Sequence, residues 1–293
     1  MSRAPDIGVV VVSHRSARTL DRCLACLRAA EGVARIVVVD NASDDASSGI
    51  VDAQAKNDPR LQLLRNESNR GFGSACNQGA ELLATPWVAF VNPDVYVART
   101  DLSRLAAHGR EVPGAGLLGT DAVNAAGIAD PAVRRWDPSL RRLLLSAGSR
   151  DELYFGRDPA SPLQRVEATS GAVMLLPLAL FRKLGGFDQG YRLHAEDLDL
   201  CRRVREAGYE VFVANDITVL HLRGVSSRTR PLWVEWQKHR GLWRYFSKFE
   251  SAQTSGPMRA MIWLGLWAHF WLLAAPAALW RRLILEKFVN DKG

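Results

Sequence analysis

Cysteine is scarce in this sequence, and its placement excludes more than its number does. Four occur, at positions 23, 26, 76 and 201. Cys23 and Cys26 form a Cys-x-x-Cys pair, but they stand one turn apart in a helical pattern with Leu20, Leu24 and Leu27. No second Cys/His pair with zinc spacing follows, so the pair reads as helix core. This usage suits a reducing compartment. The N-terminus lacks a charged start leading into a long apolar stretch and a small-residue cleavage site. The chain is therefore expected to remain in the cytoplasm. No recognisable nucleic-acid module is present, so a formal net charge of +7 is not expected to mean specific nucleic-acid binding. Disorder is excluded as well, because 293 residues with 47% hydrophobic content can bury a full core.

Acid is nearly absent between positions 223 and 248, where Glu235 stands against seven arginines and lysines interleaved with Trp233, Trp236, Trp243, Tyr245 and Phe246. An apolar, Trp-rich stretch over 258–280 follows, interrupted by Arg259, His269 and Pro276. Basic and aromatic residues beside an apolar segment suit a membrane surface. The segment 260–280 is long enough to cross a bilayer, but His269 and Pro276 oppose an easy span. An interfacial or re-entrant helical hairpin is the favoured expectation, with Trp263, Trp267 and Trp271 on one face. A soluble dimer interface is the alternative.

The first hundred residues alternate strand and helix. Continuous apolar runs at 7–12, 36–39, 61–64 and 87–91 predict strands covered on both faces. Helical patterns at 16–30, from 45 to 54, and at 71–83 lie between them. Alternation of this kind predicts an open α/β sheet whose ligands sit beyond the carboxyl ends of the strands. Polar residues fall at those ends. Asp40 either accepts from the imide N–H of a uracil or thymine base or makes an Asx-turn with Ser43. The Asn69-Arg70-Gly71-Phe72-Gly73 loop either holds phosphate or sugar oxygens at a helix N-terminus, aided by Arg70, or serves only a turn. At Asn92-Pro93-Asp94 the proline ends the strand and leaves a carboxylate suited to Mg²⁺ or Mn²⁺. His221 is an eligible later ligand, or a buried histidine without a metal.

The stretch His194-Ala195-Glu196-Asp197-Leu198-Asp199 puts three carboxylates at the start of an amphipathic helix on which Leu200, Val204 and Ala207 recur and Gly208 forms the end. Such acids are N-terminal caps, catalytic groups, or both. Ser170-Gly171-Ala172-Val173-Met174 is expected on a strand, where Gly171 allows close approach to the backbone. Gly185-Gly186 is expected to cap a helix and Phe187 to lie in the core.

These motifs, taken in order with residues 9–13 and the His221-Leu222-Arg223-Gly224 stretch, resemble the family 2 glycosyltransferases, particularly their bacterial rhamnosyltransferase-like branch. The likeness spans roughly residues 7–250. It implies a GT-A fold, with a Rossmann-like, mostly parallel sheet flanked by helices and a C-terminal helical membrane-associating segment. It further implies inverting transfer from a nucleotide-diphosphate sugar to a glycan or lipid-linked acceptor, with Mg²⁺ or Mn²⁺ on the diphosphate. Residues 1–250 are then the transferase domain, divided near 100 into nucleotide-binding and acceptor-binding halves, and 251–293 a helical apolar segment. Carried over by position, Asp40 holds the base, Asp94 is the last carboxylate of an Asp-x-Asp metal motif whose first position is Asn92, His221 completes the metal site, and Asp197 is the catalytic base. Ser13, Asn69, Arg70, Gly71, Asn92, Gly171, Glu196 and Arg223 are expected to bind substrate. Glu196 is expected to raise the pKa of Asp197 slightly, since like charges oppose each other's ionisation. Among donors dTDP-L-rhamnose is favoured over UDP- or GDP-linked sugars. A non-catalytic sugar-nucleotide or glycan-binding module of the same fold is the alternative, and attachment to the inner face of the cell membrane is expected.

Overall fold

The structure is a computed structural model and describes residues 6–139, 142, 153–222 and 230–280. Nine strands form one sheet: β1 Ile7–Ser13, β2 Val33–Asp40, β3 Leu61–Arg65, β4 Trp87–Val91, β5 Val95–Tyr96, β6 Ala115–Val123, β7 Leu163–Val166, β8 Val173–Pro177 and β9 Glu210–His221. Their spatial order is β3-β2-β1-β4-β8-β6-β9-β5, and β7 also lies along β9. The first four strands are mutually parallel. Every residue of β1 and β4 is buried, as their unbroken apolar runs require. Beyond β4 the sheet is mixed, because β8 runs antiparallel to both β4 and β6 while β6 and β9 are parallel.

Helices α1 Ala17–Ala29, α2 Ser47–Ala55, α3 Phe72–Glu81 and α4 Asp101–Glu111 connect the early strands. On α1, Leu20, Cys23, Leu24 and Leu27 are fully buried, so Cys23 is core. Helix α3 packs on β1 and β2. A side chain at Gly79 would meet Val10 Cγ1 at 2.5 Å, which is why the helix needs glycine there.

The later helices are α5 Leu178–Lys183, α6 Glu196–Glu206 and α7 Pro231–Phe249. Gly185 and Gly186, both at positive φ, close α5 and turn the chain into fully buried Phe187. Asn77 of α3 grips that turn from both sides. Its Oδ1 accepts from the Phe187 N–H and its Nδ2 donates to the Phe187 carbonyl, each at 2.8 Å.

After α7, helix α8 begins at Gly256. The hairpin favoured from sequence is not present among the described residues: Gly256–Trp280 is one unbroken helix of 25 residues. Pro276 does not end it, because the chain passes through a π-type turn at Phe270–Ala274. That turn includes the carbonyl of residue 272, which the missing N–H of Pro276 would otherwise serve. Trp267 faces α7, its ring 4.6 Å from that of Trp236, while Trp263, Trp271 and Trp280 are exposed.

The clamp at Asn77 yields a stability prediction. Asn77→Ala leaves a donor and an acceptor of the Phe187 backbone unpaired, and an unfolding free energy lower by roughly 1–3 kcal/mol is expected in urea titrations. An unchanged midpoint would contradict the clamp.

Candidate active site

β1 and β2 end side by side, with Ser13 paired in register to Asp40. Both are buried. Asp40 Oδ2 accepts from the Ser43 N–H at 3.2 Å and the Ser48 hydroxyl at 2.9 Å, so the Asx-turn forms. Its Oδ1 has no partner among the described residues, nor does Ser13 Oγ. One carboxylate thus shapes the turn and still offers a free acceptor. Neighbouring Asn41 ties the region together. Its Oδ1 accepts from the Arg70 N–H at 2.9 Å, and its Nδ2 donates to Asn69 Oδ1 and the Gly71 carbonyl. Asn69 Oδ1 also accepts from the Gly71 N–H at 2.9 Å. The Asn69 oxygen therefore braces the loop, while the Arg70 side chain extends to solvent. Gly71 has φ 87°, and any Cβ there would press on the Arg192 carbonyl at 3.0 Å.

At the next strand, Pro93 and Asp94 turn the chain from β4 into β5. β5 pairs antiparallel with the end of β9, setting Val95 opposite His221, and the Leu222 N–H donates to the Asp94 carbonyl at 3.0 Å. This brings His221 Nε2 to 3.3 Å from Asp94 Oδ1. Both residues are buried, and His221 Nδ1 lacks a partner among the described residues. No cluster of three or more His, Cys, Asp or Glu side chains of metal-binding form occurs among those residues. The protein thus presents one carboxylate and one imidazole, a donor set that fits a hard divalent cation completing its shell with substrate phosphates and water.

Asp197 opens α6 on a strained approach, since His194 and Ala195 both have positive φ. Arg135, which motif reading did not single out, is its principal partner. Arg135 Nη2 donates to Asp197 Oδ2 at 2.5 Å and to the Thr169 carbonyl at 2.6 Å. The Gly171 N–H adds a bond to the same carboxyl oxygen at 3.2 Å, and the Leu198 N–H donates to Oδ1 at 2.8 Å. The only sequence trace of Arg135 is its place in the Arg134-Arg135-Trp136 run, and nothing in that run specifies a partner 62 residues away.

Protonation in this cluster corrects the expectation from sequence. Burial opposes ionisation of Asp197, but the charge and hydrogen bond of Arg135 prevail and hold its pKa below the ordinary value. Burial, then the negative charge of Asp197, push Glu196 up to about 8. The effect of the neighbouring acids therefore falls on Glu196, and the pair carries its proton there. Glu196 is buried, and its Oε2 has no partner among the described residues. Asp199, fully buried, is bound by Arg203 at 2.5 Å, Lys248 at 2.6 Å and the Tyr191 hydroxyl at 3.2 Å, so it fixes the helix rather than facing a ligand.

A short backbone bridge joins these groups. The Asn92 N–H donates to the Ala172 carbonyl at 3.0 Å, and Gly171, the preceding residue, contacts Asp197. Ser170, Gly171 and Ala172 are not on a strand as expected, because β8 begins at Val173. They form a turn whose free N–H at Gly171 is available to a carboxylate. Asp94, two residues beyond Asn92, and Asp197 thus stand at the same end of β4. Arg223, and Arg228 beyond it, lie outside the described residues.

Residues 8–122 match the family described as Glycosyl transferase family 2. The chain carries a family 2 glycosyltransferase domain. It is an enzyme of glycosyl transfer, similar to the N-acetylglucosaminyl-diphospho-decaprenol L-rhamnosyltransferase of Mycobacterium tuberculosis, with 27% identity over 277 residues that cover 86% of this chain and 88% of the relative. Among solved structures the glycosyltransferase resembles GalNAc-T7 with UDP, GalNAc and Mn²⁺, with a TM-score of 0.63 and 17% identity over 84% of this chain. The likeness spans about half, 48%, of the GalNAc-T7 chain. It also resembles the mannosyltransferase PcManGT of Pyrobaculum calidifontis in complex with GDP-Man and Mn²⁺, with a TM-score of 0.60 and 18% identity, covering 99% of this chain and 76% of that one. These likenesses establish the GT-A fold expected from sequence.

The raised Glu196 pKa has a stability consequence with a definite sign. Its folded value, about 8, exceeds the ordinary 4.5, so the folded state binds the proton more tightly than the unfolded one. The associated stabilisation is full below about pH 4.5 and is lost as pH rises through about 8. Glu196→Gln removes this proton, and melting curves between about pH 5 and 8 are expected to slope less for the variant than for the wild type. Parallel profiles would refute the assignment.

Proposed function

We propose that this enzyme carries out inverting transfer of a sugar, L-rhamnose from dTDP-L-rhamnose in the most specific form, to a lipid-linked glycan acceptor. The observation that supports it is the pairing, across the Asn92 to Gly171 bridge, of the Asp94–His221 pair with a carboxylate that Arg135 keeps ionised. The similarity to an L-rhamnosyltransferase acting on a diphospho-decaprenol acceptor supports the choice of sugar and of lipid carrier.

In this reading the nucleobase lies at the ends of β1 and β2, where Asp40 Oδ1 accepts an imide N–H and Ser13 Oγ supplies a further polar contact. The Asn69–Arg70–Gly71 loop and Asn92 face the sugar diphosphate, with Arg70 free to reach a phosphate. Asp94 and His221 would hold Mg²⁺ or Mn²⁺, and the cation would supply positive charge to offset that of the diphosphate leaving group; both structural relatives described above were solved with Mn²⁺. The acceptor hydroxyl attacks the anomeric carbon from the face opposite the nucleotide, and Asp197 takes its proton as the new bond forms. Arg135 keeps Asp197 anionic before the attack and orients its free lone pairs. Glu196, which holds the neighbouring proton, spares the site a second buried negative charge. The enzyme works at the inner face of the cell membrane, where such an acceptor presents its sugar.

Transfer assays with sugar nucleotide and lipid-linked acceptor test this directly. Asp197→Asn is expected to lower kcat by about 10²–10⁴-fold, the usual worth of a general base. Asp94→Ala is expected to reduce transfer comparably and to weaken Mn²⁺ dependence. Wild-type rates in both variants would eliminate the mechanism. Arg135→Gln withdraws the charge that lowers the pKa of Asp197, so the acidic limb of the kcat/KM profile should move to higher pH. An unmoved limb would mean that Asp197 is not the titrating base.

A further inference from the structure

Between α7 and the loop 188–192 lies an open groove of about 690 Å³, lined by Arg192, Arg240, Arg244 and Lys248 together with Trp236 and Trp267 among others. Among the described residues Asp188 is the one acidic side chain in its lining, and it is already bonded by Arg244 and Lys248. Among the described residues exposed Arg240 has no acidic partner, and the Arg192 guanidinium reaches only the Asn69 carbonyl, at 3.4 Å. A groove with two uncommitted guanidinium groups calls for a multiply charged anion.

The walls of the groove lead along the chain to the Glu196–Asp197 cluster on one side and to the apolar helix on the other. The loop that lines it runs through His194 and Ala195 into Glu196 and Asp197, and α7 is seated on that loop so closely that a side chain at Gly241 would meet the His194 carbonyl at 2.9 Å. On the other side Trp267 belongs to Gly256–Trp280, whose most apolar 18-residue stretch has a mean hydropathy of 1.5 with only 17% of it buried. Its outer face exposes Trp271 at 64%, Leu272 at 73% and Leu273 at 62%. Helical rise makes this rod about 37 Å long, comparable to the apolar thickness of a bilayer. Such a surface calls for an apolar cover.

We propose that the groove seats the diphosphate of a polyprenyl-linked acceptor, with the lipid chain leaving across the exposed face of Gly256–Trp280. The inference rests on the transferase reading above and adds to it the place where the lipid anion is held. A single ligand class meets both demands: a diphosphate for Arg192 and Arg240, and a long hydrocarbon chain for the adjoining helix. The sugar on that diphosphate then points along the loop toward Asp197. A second copy of the chain fits less well, because a two-fold contact would bring the same cations against themselves.

Flotation of the full-length protein with phosphatidylcholine vesicles containing a few mole per cent of undecaprenyl diphosphate tests the proposal. No donor or cation is added, so this result stands apart from the transfer assays, and its failure leaves the transferase reading intact. The expected result is at least about tenfold tighter binding than to vesicles matched in charge with phosphatidylglycerol, and about a tenfold loss in Arg192→Ala/Arg240→Ala, in line with the strength of charge-assisted hydrogen bonds. Arg240→Glu alone serves if the double variant fails to melt cooperatively. Leu272→Ser/Leu273→Ser is expected to weaken binding to all vesicles. Equal binding to both anionic vesicles, or variants at Arg192 and Arg240 that bind as the wild type does, would overturn the assignment. A stable dimer that does not float would overturn it too, and would give the apolar face to a second copy.

Discussion

The arrangement of the candidate active site depends on the ion pair between Arg135 and Asp197. Arg135 extends from a segment that precedes β7, caps the Thr169 carbonyl, and reaches the first turn of α6. Without it, a carboxylate at that depth would take up a proton, as Glu196 beside it does. Burial alone pushes both acids toward neutrality, and one guanidinium decides which of them stays charged. The same contact fixes the 170–172 turn, since Asp197 Oδ2 also accepts from the Gly171 N–H. That turn carries the carbonyl that bonds to Asn92, so the position of the Asp94 strand end and the ionisation of Asp197 share one support.

Much of the fold was legible in the sequence because buried parallel strands leave a strong local record. The run Trp87–Val91 was delimited to the residue, and β1 to β3 were displaced by only a few residues at their ends. The mixed half of the sheet left less trace. β7 and β8 are short, and their place in the order is set by pairings with residues far along the chain, such as Leu118 with Leu175. The turn at Ser170–Ala172 read as strand because small residues pack in either setting, and only the carboxylate at Asp197 reveals why the Gly171 N–H must be free. At the C-terminus, Pro276 suggested a break that the π turn avoids, a local solution that composition does not record.

For the site, residue type and order located the acids but not their charge states. Asp40, Asp94 and His221 lie at the carboxyl side of the sheet, as polar residues ending apolar runs should, and Asp197 joins them there from the first turn of α6. Arg135 left no such signal. An arginine in a segment without clear periodicity carries no mark of its partner, and the direction of the pKa shifts at Glu196 and Asp197 follows from that one contact. Asp199 shows the converse. It belongs to the same acidic cluster, yet Arg203, Lys248 and Tyr191 consume it in holding α6 to α7.

Gly71 and Arg192 link two regions that the chain separates by more than a hundred residues. The Phe72 N–H donates to the Arg192 carbonyl at 3.4 Å, and the Arg192 guanidinium reaches the Asn69 carbonyl. The absence of a Cβ at Gly71 is what permits this contact. The 69–71 loop and the lip of the basic groove therefore share a direct backbone contact. Linkage makes any coupling through that contact symmetrical: whatever factor a ligand at one side adds to the hold on a ligand at the other, the second returns to the first.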